Sequence, residues 1–202
     1  MIFQMNDIEK LTDEERIERI AAHMDAIIGL LGDDTSREGL KKTPLRAAKA
    51  LWYLTSGYRT DASQVIQQAL FAHDGSQMIV VRDIEFYSLC EHHVLPFFGT
   101  VSIGYLPQGK IVGLSKLARC VEAVARKLQV QERITAELCR SVMRELDAAG
   151  VMVVCKARHL CMQMRGVEKQ NAVTVTSHSE GRFATDSVLR AEFLQAISGP
   201  CC

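Results

Sequence analysis

Cys90-Glu91-His92-His93 is the densest cluster of reactive side chains in this 202-residue chain. Cys90 and His93 have the C-x2-H spacing, which lets a thiolate and an imidazole converge on one soft cation. The plain alternative is a buried cysteine beside surface histidines. The segment His159-Leu160-Cys161-Met162-Gln163-Met164-Arg165 strengthens the metal reading. As a strand it places His159, Cys161, Gln163 and Arg165 on one face, and Leu160, Met162 and Met164 on the other. An apolar face opposite imidazole, thiol, amide and guanidinium is what a site-lining strand looks like. Spacing does not choose a third ligand among the other cysteines, although Cys120 falls on an apolar helix stripe and reads as a packing residue. Two cysteines and one histidine would leave a tetrahedral zinc with an open position, as in catalytic sites. No paired C-x2-C or H-x3-H is present to complete a structural finger.

Anion-binding signals are local and repeated. Ser115-Lys116-Leu117-Ala118-Arg119 opens a helix, where free backbone N–H groups and the dipole favour phosphate. Lys116 and Arg119 sit one turn apart beside it, Arg46 and Lys49 repeat that spacing on an earlier helix, and Arg165 ends the site-lining strand. In isolation each pair reads as an ordinary solvated face. Gln131-Glu132 starts another helix, where a negative charge is favourable for the dipole alone.

The elements that must position these residues fall into two regions. Ile17, Ile20, Met24, Ile27, Ile28 and Leu31 step by threes and fours and predict a helix over 12–32, with a Thr12/Glu15 capping box and Gly32 as its stop. A second helix begins at Thr43-Pro44 and ends at Gly57. The helical N-terminal region is expected over 1–75, with His73-Asp74-Gly75-Ser76 as linker, and the catalytic domain over 76–202. In the latter, alternation over 80–87 and 100–105 predicts strands, with Pro107-Gln108-Gly109 as a turn. A helix capped by Ser115 and a second over 131–147, stopped by Gly150, come next. Strands at 151–165 and 172–177 and a last helix over 188–197 complete the order. Strands, a helix pair and strands again imply an α+β fold, a mainly antiparallel sheet with helices on one face.

Composition sets the outer limits. Lys plus Arg and Asp plus Glu number 24 each, so no global basic field exists to hold nucleic acid or an anionic membrane. Hydrophobic residues at 48% and charged residues at 24% exclude a disordered or coiled-coil chain. The acidic start MIFQMNDIEKLTDEER lacks the features of a secretory signal, and apolar runs such as MIVV (78–81) are too short for a membrane span. Seven scattered cysteines fit reduced thiols in a cytoplasm rather than a disulfide scaffold.

Taken together, SLCEHH (88–93), GYLP (104–107), GLSKLAR (113–119), QVQER (129–133) and CMxMRGV (161–167) resemble GTP cyclohydrolase I. EGLKKTPLRAAKAL (38–51) matches that family's N-terminal motif, and the resemblance runs from about residue 15 to about residue 197. Ala172, where a small hydroxyl residue is expected, and the Cys201-Cys202 terminus depart from the pattern without touching a site motif. The short start is expected to leave no room for a long regulatory extension. The resemblance implies a tunnelling fold whose subunit sheets join into a barrel, with paired pentameric rings forming a decamer and active sites between subunits. It implies zinc on Cys90, His93 and Cys161, proton transfer by His92 and His159, and a catalytic contact of Ser115 near the ribose and phosphates. Lys116, Arg119 and Arg165, with Arg46 and Lys49, would hold the triphosphate, and Gln131 and Glu132 would read the guanine.

The implied reaction suits these side chains. Water on zinc attacks C8 of GTP, a histidine protonates nitrogen as the ring opens, and a second hydrolysis releases formate. The ribose then opens, rearranges and recloses as 7,8-dihydroneopterin triphosphate, the first step toward folates and pterins. Two rivals remain at this point: a zinc-stabilised binding module without turnover, and a related tunnelling-fold enzyme acting on another purine or pterin. The His92/His159 pair argues against the first, and Gln131-Glu132 beside the phosphate set argues against the second.

Overall fold

Thr12 starts the first helix, α1 (Asp13–Leu30), through the expected capping box: its Oγ accepts from Glu15 N at 3.3 Å and Glu15 Oε2 accepts from Thr12 N at 2.8 Å. The structure, a computed structural model, describes residues 10–199; residues 1–9 of the acidic start, Cys201 and Cys202 lie outside them. Gly32, at φ +94°, turns the chain after α1. Next comes α2 (Thr43–Leu54), with Pro44 in its first turn, packed against α1 and burying Ala48 completely. It ends at Leu54 rather than Gly57, where Thr55 Oγ1 donates back to Leu51 O at 2.7 Å. None of the α1 residues is fully buried, and Leu30 and Leu31 are exposed.

The chain divides into two compact units, Met1–Thr55 and Ser56–Cys202. The division falls before the expected linker at 73–76. The reason is a short 3₁₀ turn (Ser56–Arg59) and α3 (Ala62–Gln67), which belong to the second unit. Asp61 caps α3, Ile66 is fully buried, and α3 packs on the two long helices of that unit.

The second unit is built on a five-stranded sheet. Its strands are β2 (Ile79–Cys90), β3 (Pro96–Leu106), β5 (Leu128–Gln129), β6 (Gly150–His159) and β7 (Thr174–Gly181), in the order β5-β2-β3-β6-β7. The pairs β2–β3, β3–β6 and β6–β7 are antiparallel, and β5 joins β2 in parallel at Leu89 and Cys90 only. A separate ribbon pairs β1 (Leu70–His73) with β4 (Gly109–Val112). The helices α4 (Leu114–Ala125) and α5 (Gln131–Leu146) cover one face of the sheet.

The period-two rule sorts the core. Val101, Ile103 and Tyr105 of β3 and Val151, Val153, Cys155 and Ala157 of β6 are buried with Leu117, Val121, Val124, Ile134, Leu138 and Val142 of the two helices. The intervening Leu106, Met152 and Val154 face the other way and pack on Phe183 of α7 (Arg182–Thr185) and on Leu189 and Phe193 of α8 (Ser187–Ala196). Gly104 lies on that second face, where a Cβ would come 2.5 Å from the Phe193 ring, so the aromatic contact requires glycine. The expected α+β class and sheet-plus-helix-pair architecture are thus present.

Three local expectations are corrected. Ser115 does not cap α4: the N-cap is Gly113, and Ser115 sits in the first turn. The strand expected over 151–165 ends at His159, and a helical turn, α6 (Leu160–Gln163), replaces its last third. The second long helix stops at Asp147, in the left-handed conformation, before Gly150 is reached.

Candidate metal centre and active site

The turn between β2 and β3 carries the first half of the site. Leu95 O accepts from Cys90 N at 2.8 Å, and Cys90 O accepts from Val94 N at 2.8 Å and His93 N at 3.3 Å. Such a tight reversal forces Val94 to φ +55°, a left-handed conformation that a β-branched residue adopts only under constraint. Glu91 N donates to Gln129 O of β5 at 3.0 Å, and the Glu91 carboxylate takes a two-pronged grip from Arg133 at 2.6 and 3.2 Å. The Arg133 guanidinium holds the Glu91 carboxyl below the usual carboxylate range. The ligand turn is therefore fastened to the start of α5. Both residues stood inside quoted motifs, yet nothing in their spacing announced the pair.

Cys161 supplies the second half. The donor atoms of Cys90, His93 and Cys161 all lie within 4.8 Å of one another. Cys161 reaches the cluster from α6, not from the strand face that the alternation predicts; the residue was legible and its geometry was not. Burial pushes the Cys161 thiol up, and the neighbouring Cys90 sulfur pushes it further. Two thiols and an imidazole form a soft donor set that fits zinc and leaves a tetrahedral position open. Arg165 donates to His93 Nε2 at 3.2 Å, leaving Nδ1 toward the Cys90 sulfur at 3.7 Å. His92 Nδ1 is also 3.7 Å from that sulfur, but His92 lies outside the triple and its ring is 65% exposed.

His159 ends β6 on the face that bears the helix pair. Its ring stacks on Phe97, its register partner on β3, at 4.6 Å between centroids and 4° between planes. His159 Nε2 lies 2.9 Å from Gln131 Oε1. The buried Gln131 amide donates to Cys155 O at 3.0 Å, Thr174 O at 3.1 Å and Thr176 Oγ1 at 3.2 Å, which orients its oxygen toward the imidazole. His159 therefore carries its proton on Nε2 and keeps Nδ1 as the free acceptor. Burial lowers the His159 pKa, and the nearby Glu132 carboxylate opposes that shift. Both ends of the Gln131 amide are thus engaged inside the protein. Phe97, absent from the sequence-based site, sets the plane of the imidazole.

Glu132 is exposed on the first turn of α5, one residue after the buried Gln131. Ser115 and Arg119 are exposed on α4, and Lys116 donates to Gln68 Oε1 at 2.7 Å. No side chain caps α4, and although Lys116 N donates to Gly113 O at 2.8 Å, the helix start still directs its dipole toward an anion. Arg46 and Lys49 are exposed on α2, within the first unit.

The sequence profile of the GTP cyclohydrolase I family matches residues 20–198. A protein of Porphyromonas gingivalis named GTP cyclohydrolase 1 is 50% identical over 193 residues, covering 96% of this chain and 98% of its own. Another of that name from Alkalilimnicola ehrlichii is 51% identical over 183 residues, covering 91% of this chain and 99% of its own. A crystal structure of the archaeosine synthase QueF-Like in the apo form shares 14% identity at TM-score 0.44, over 54% of this chain and 97% of that one.

Proposed function

The chain belongs to the GTP cyclohydrolase I family, and from that premise we propose a zinc-dependent hydrolysis at C8 of GTP that ends in 7,8-dihydroneopterin triphosphate and formate. The observation that carries this reading is the convergence of Cys90, His93 and Cys161 beside two histidines that stay outside the donor triple. Zinc, when bound there, would supply a water of lowered pKa and polarise the atoms it touches. The protein's own groups do the rest. His159, held through Nε2, presents Nδ1 to accept or return a proton, and the exposed His92 protonates the imidazole nitrogen released as the ring opens.

Glu132 reads the base. A guanine edge presents N1–H and the 2-amino group as adjacent donors, which one carboxylate can accept together. Adenine offers neither, and would leave that carboxylate facing a lone pair. Lys116, Arg119 and Arg165 hold the triphosphate at the N-terminus of α4, and Ser115 meets the ribose end. Arg46 and Lys49 complete the phosphate contacts in a ring-like homo-oligomer, a decamer of paired pentameric rings. The strand edge of β7, paired among the described residues only with β6, and the exposed apolar end of α1 support self-association. Among the described residues no helix is long and apolar enough to cross a membrane, and the described cysteines are free thiols, which suits a reducing cytoplasm.

The test is incubation with GTP or ATP, followed by oxidation and measurement of pterin fluorescence. Fluorescence from ATP, at least about a hundredfold below that from GTP, is expected, and Glu132→Ala should remove most of that gap by weakening GTP. No fluorescent product from GTP in zinc-loaded protein would refute the reading.

A further inference from the structure

The segment after Cys161 leaves α6, carries Arg165 toward the metal cluster, and returns before β7. Its position has little packing to explain it: Met164 and Val167 are 65% and 59% exposed. The backbone is also costly to hold, since Glu168 adopts φ +53° close after Gly166 at φ +73°. Something else closes the loop. Gln163 Nε2 donates to Gln170 O at 2.8 Å, and Gln170 Nε2 donates to Gln163 O at 2.9 Å. Each side-chain amide thus bonds the other residue's carbonyl, which staples the two ends of the excursion together. Lys169 N adds a backbone bond to Met162 O at 3.1 Å just inside the staple. At the far end Arg165 Nη1 meets His93 Nε2 at 3.2 Å.

We propose that Gln163 and Gln170 form a two-way amide latch that positions Arg165 for the substrate's phosphates, making both glutamines positioning residues of the site. The inference rests on the reading of Arg165 as a phosphate contact. Neither glutamine touches the metal cluster, and their effect passes through the shape of the loop. Arg165 is the one residue of the segment with a polar contact to the ligand turn, so a loop free to open lets its guanidinium leave the site. Holding it in place removes an ordering cost that substrate binding would otherwise carry. The latch closes only when both bonds form together, because either alone leaves the loop ends hinged at one point.

The experiment uses Gln163→Met, Gln170→Met and the double variant, which keep side-chain length and remove the donors. Each single variant should raise KM for GTP about fivefold with kcat changed by less than about twofold, the signature of lost ground-state positioning. The double variant should be no worse than either single one. Trypsin, which cuts after Arg165 and Lys169, should cleave the variants faster than the unaltered protein. Unchanged KM in both single variants of a protein that turns over GTP overturns the latch and leaves the proposed function standing. Absence of turnover in the unaltered protein would instead count against the function. In that case the trypsin comparison decides, since faster cleavage of the variants supports the latch and equal rates overturn it.

Discussion

Gln131 Oε1 accepts from His159 Nε2 while its own Nε2 donates to the backbone of two strands, so a single buried side chain fixes the tautomer of the imidazole whose plane Phe97 sets. Gln131→Leu should lower kcat by about ten- to a hundredfold, because a misplaced proton-transfer group loses much of its general acid–base contribution. Gln131→Glu keeps the acceptor and should retain more activity; equal losses in both variants would mean that the amide only joins strands. Zinc content separates the remaining roles. Cys161→Ala should fail to retain zinc after dialysis, whereas His92→Ala and His159→Ala should keep about one ion per chain and lose turnover. Zinc retained by Cys161→Ala, measured by elemental analysis, would remove that thiol from the donor set. The cluster of Cys90, His93 and Cys161 was legible because thiol and imidazole have few other reasons to cluster. The hold of Gln131 on His159 was not legible, because it depends on strands distant in sequence.

The turn joining β2 to β3 is strained at Val94, and that strain is testable in the element itself. Moving a β-branched residue out of the left-handed region recovers roughly 1–3 kcal/mol. Glycine gives back about 0.5–1 kcal/mol through its greater freedom in the unfolded chain. Val94→Gly should therefore raise the urea midpoint, whereas a lowered midpoint would show that the valine side chain does more packing there than its 50% exposure indicates. Element types were readable wherever a period ran long enough: α1, α2, α5 and the alternation of β3 all stand near their expected places. The β1–β4 ribbon was missed because four-residue strands present too little alternation to separate from loop. The strand expected through Arg165 failed for a different reason. The pattern 159–165 alternates cleanly, yet α6 follows His159 because Cys161 must turn back toward Cys90, a tertiary demand that local pattern does not carry.

At the scale of the molecule, the five-stranded sheet ends in β7, which among the described residues has a strand partner on one side only, and Leu30 at the end of α1 is exposed. Sedimentation should find a large homo-oligomer at assay concentrations, and dilution or mild denaturant that releases single chains should abolish turnover. A fully active monomer would contradict the assembly proposed above. The register of β3 against β6 has a further bearing, on the order of events in folding. His93 and Cys161 lie on opposite sides of both long helices in the sequence, and only the β3–β6 pairing brings their strands together. A contact between segments so far apart forms late, after the loop-closure entropy of the whole helical crossover has been overcome. Zinc then has no complete binding triple to stabilise until the sheet is assembled. Adding zinc should leave the refolding rate unchanged and slow unfolding by tenfold or more, about 1.4 kcal/mol, because the ion favours only the finished arrangement. Stopped-flow refolding accelerated by zinc would show instead that the two halves of the triple meet before the strands do.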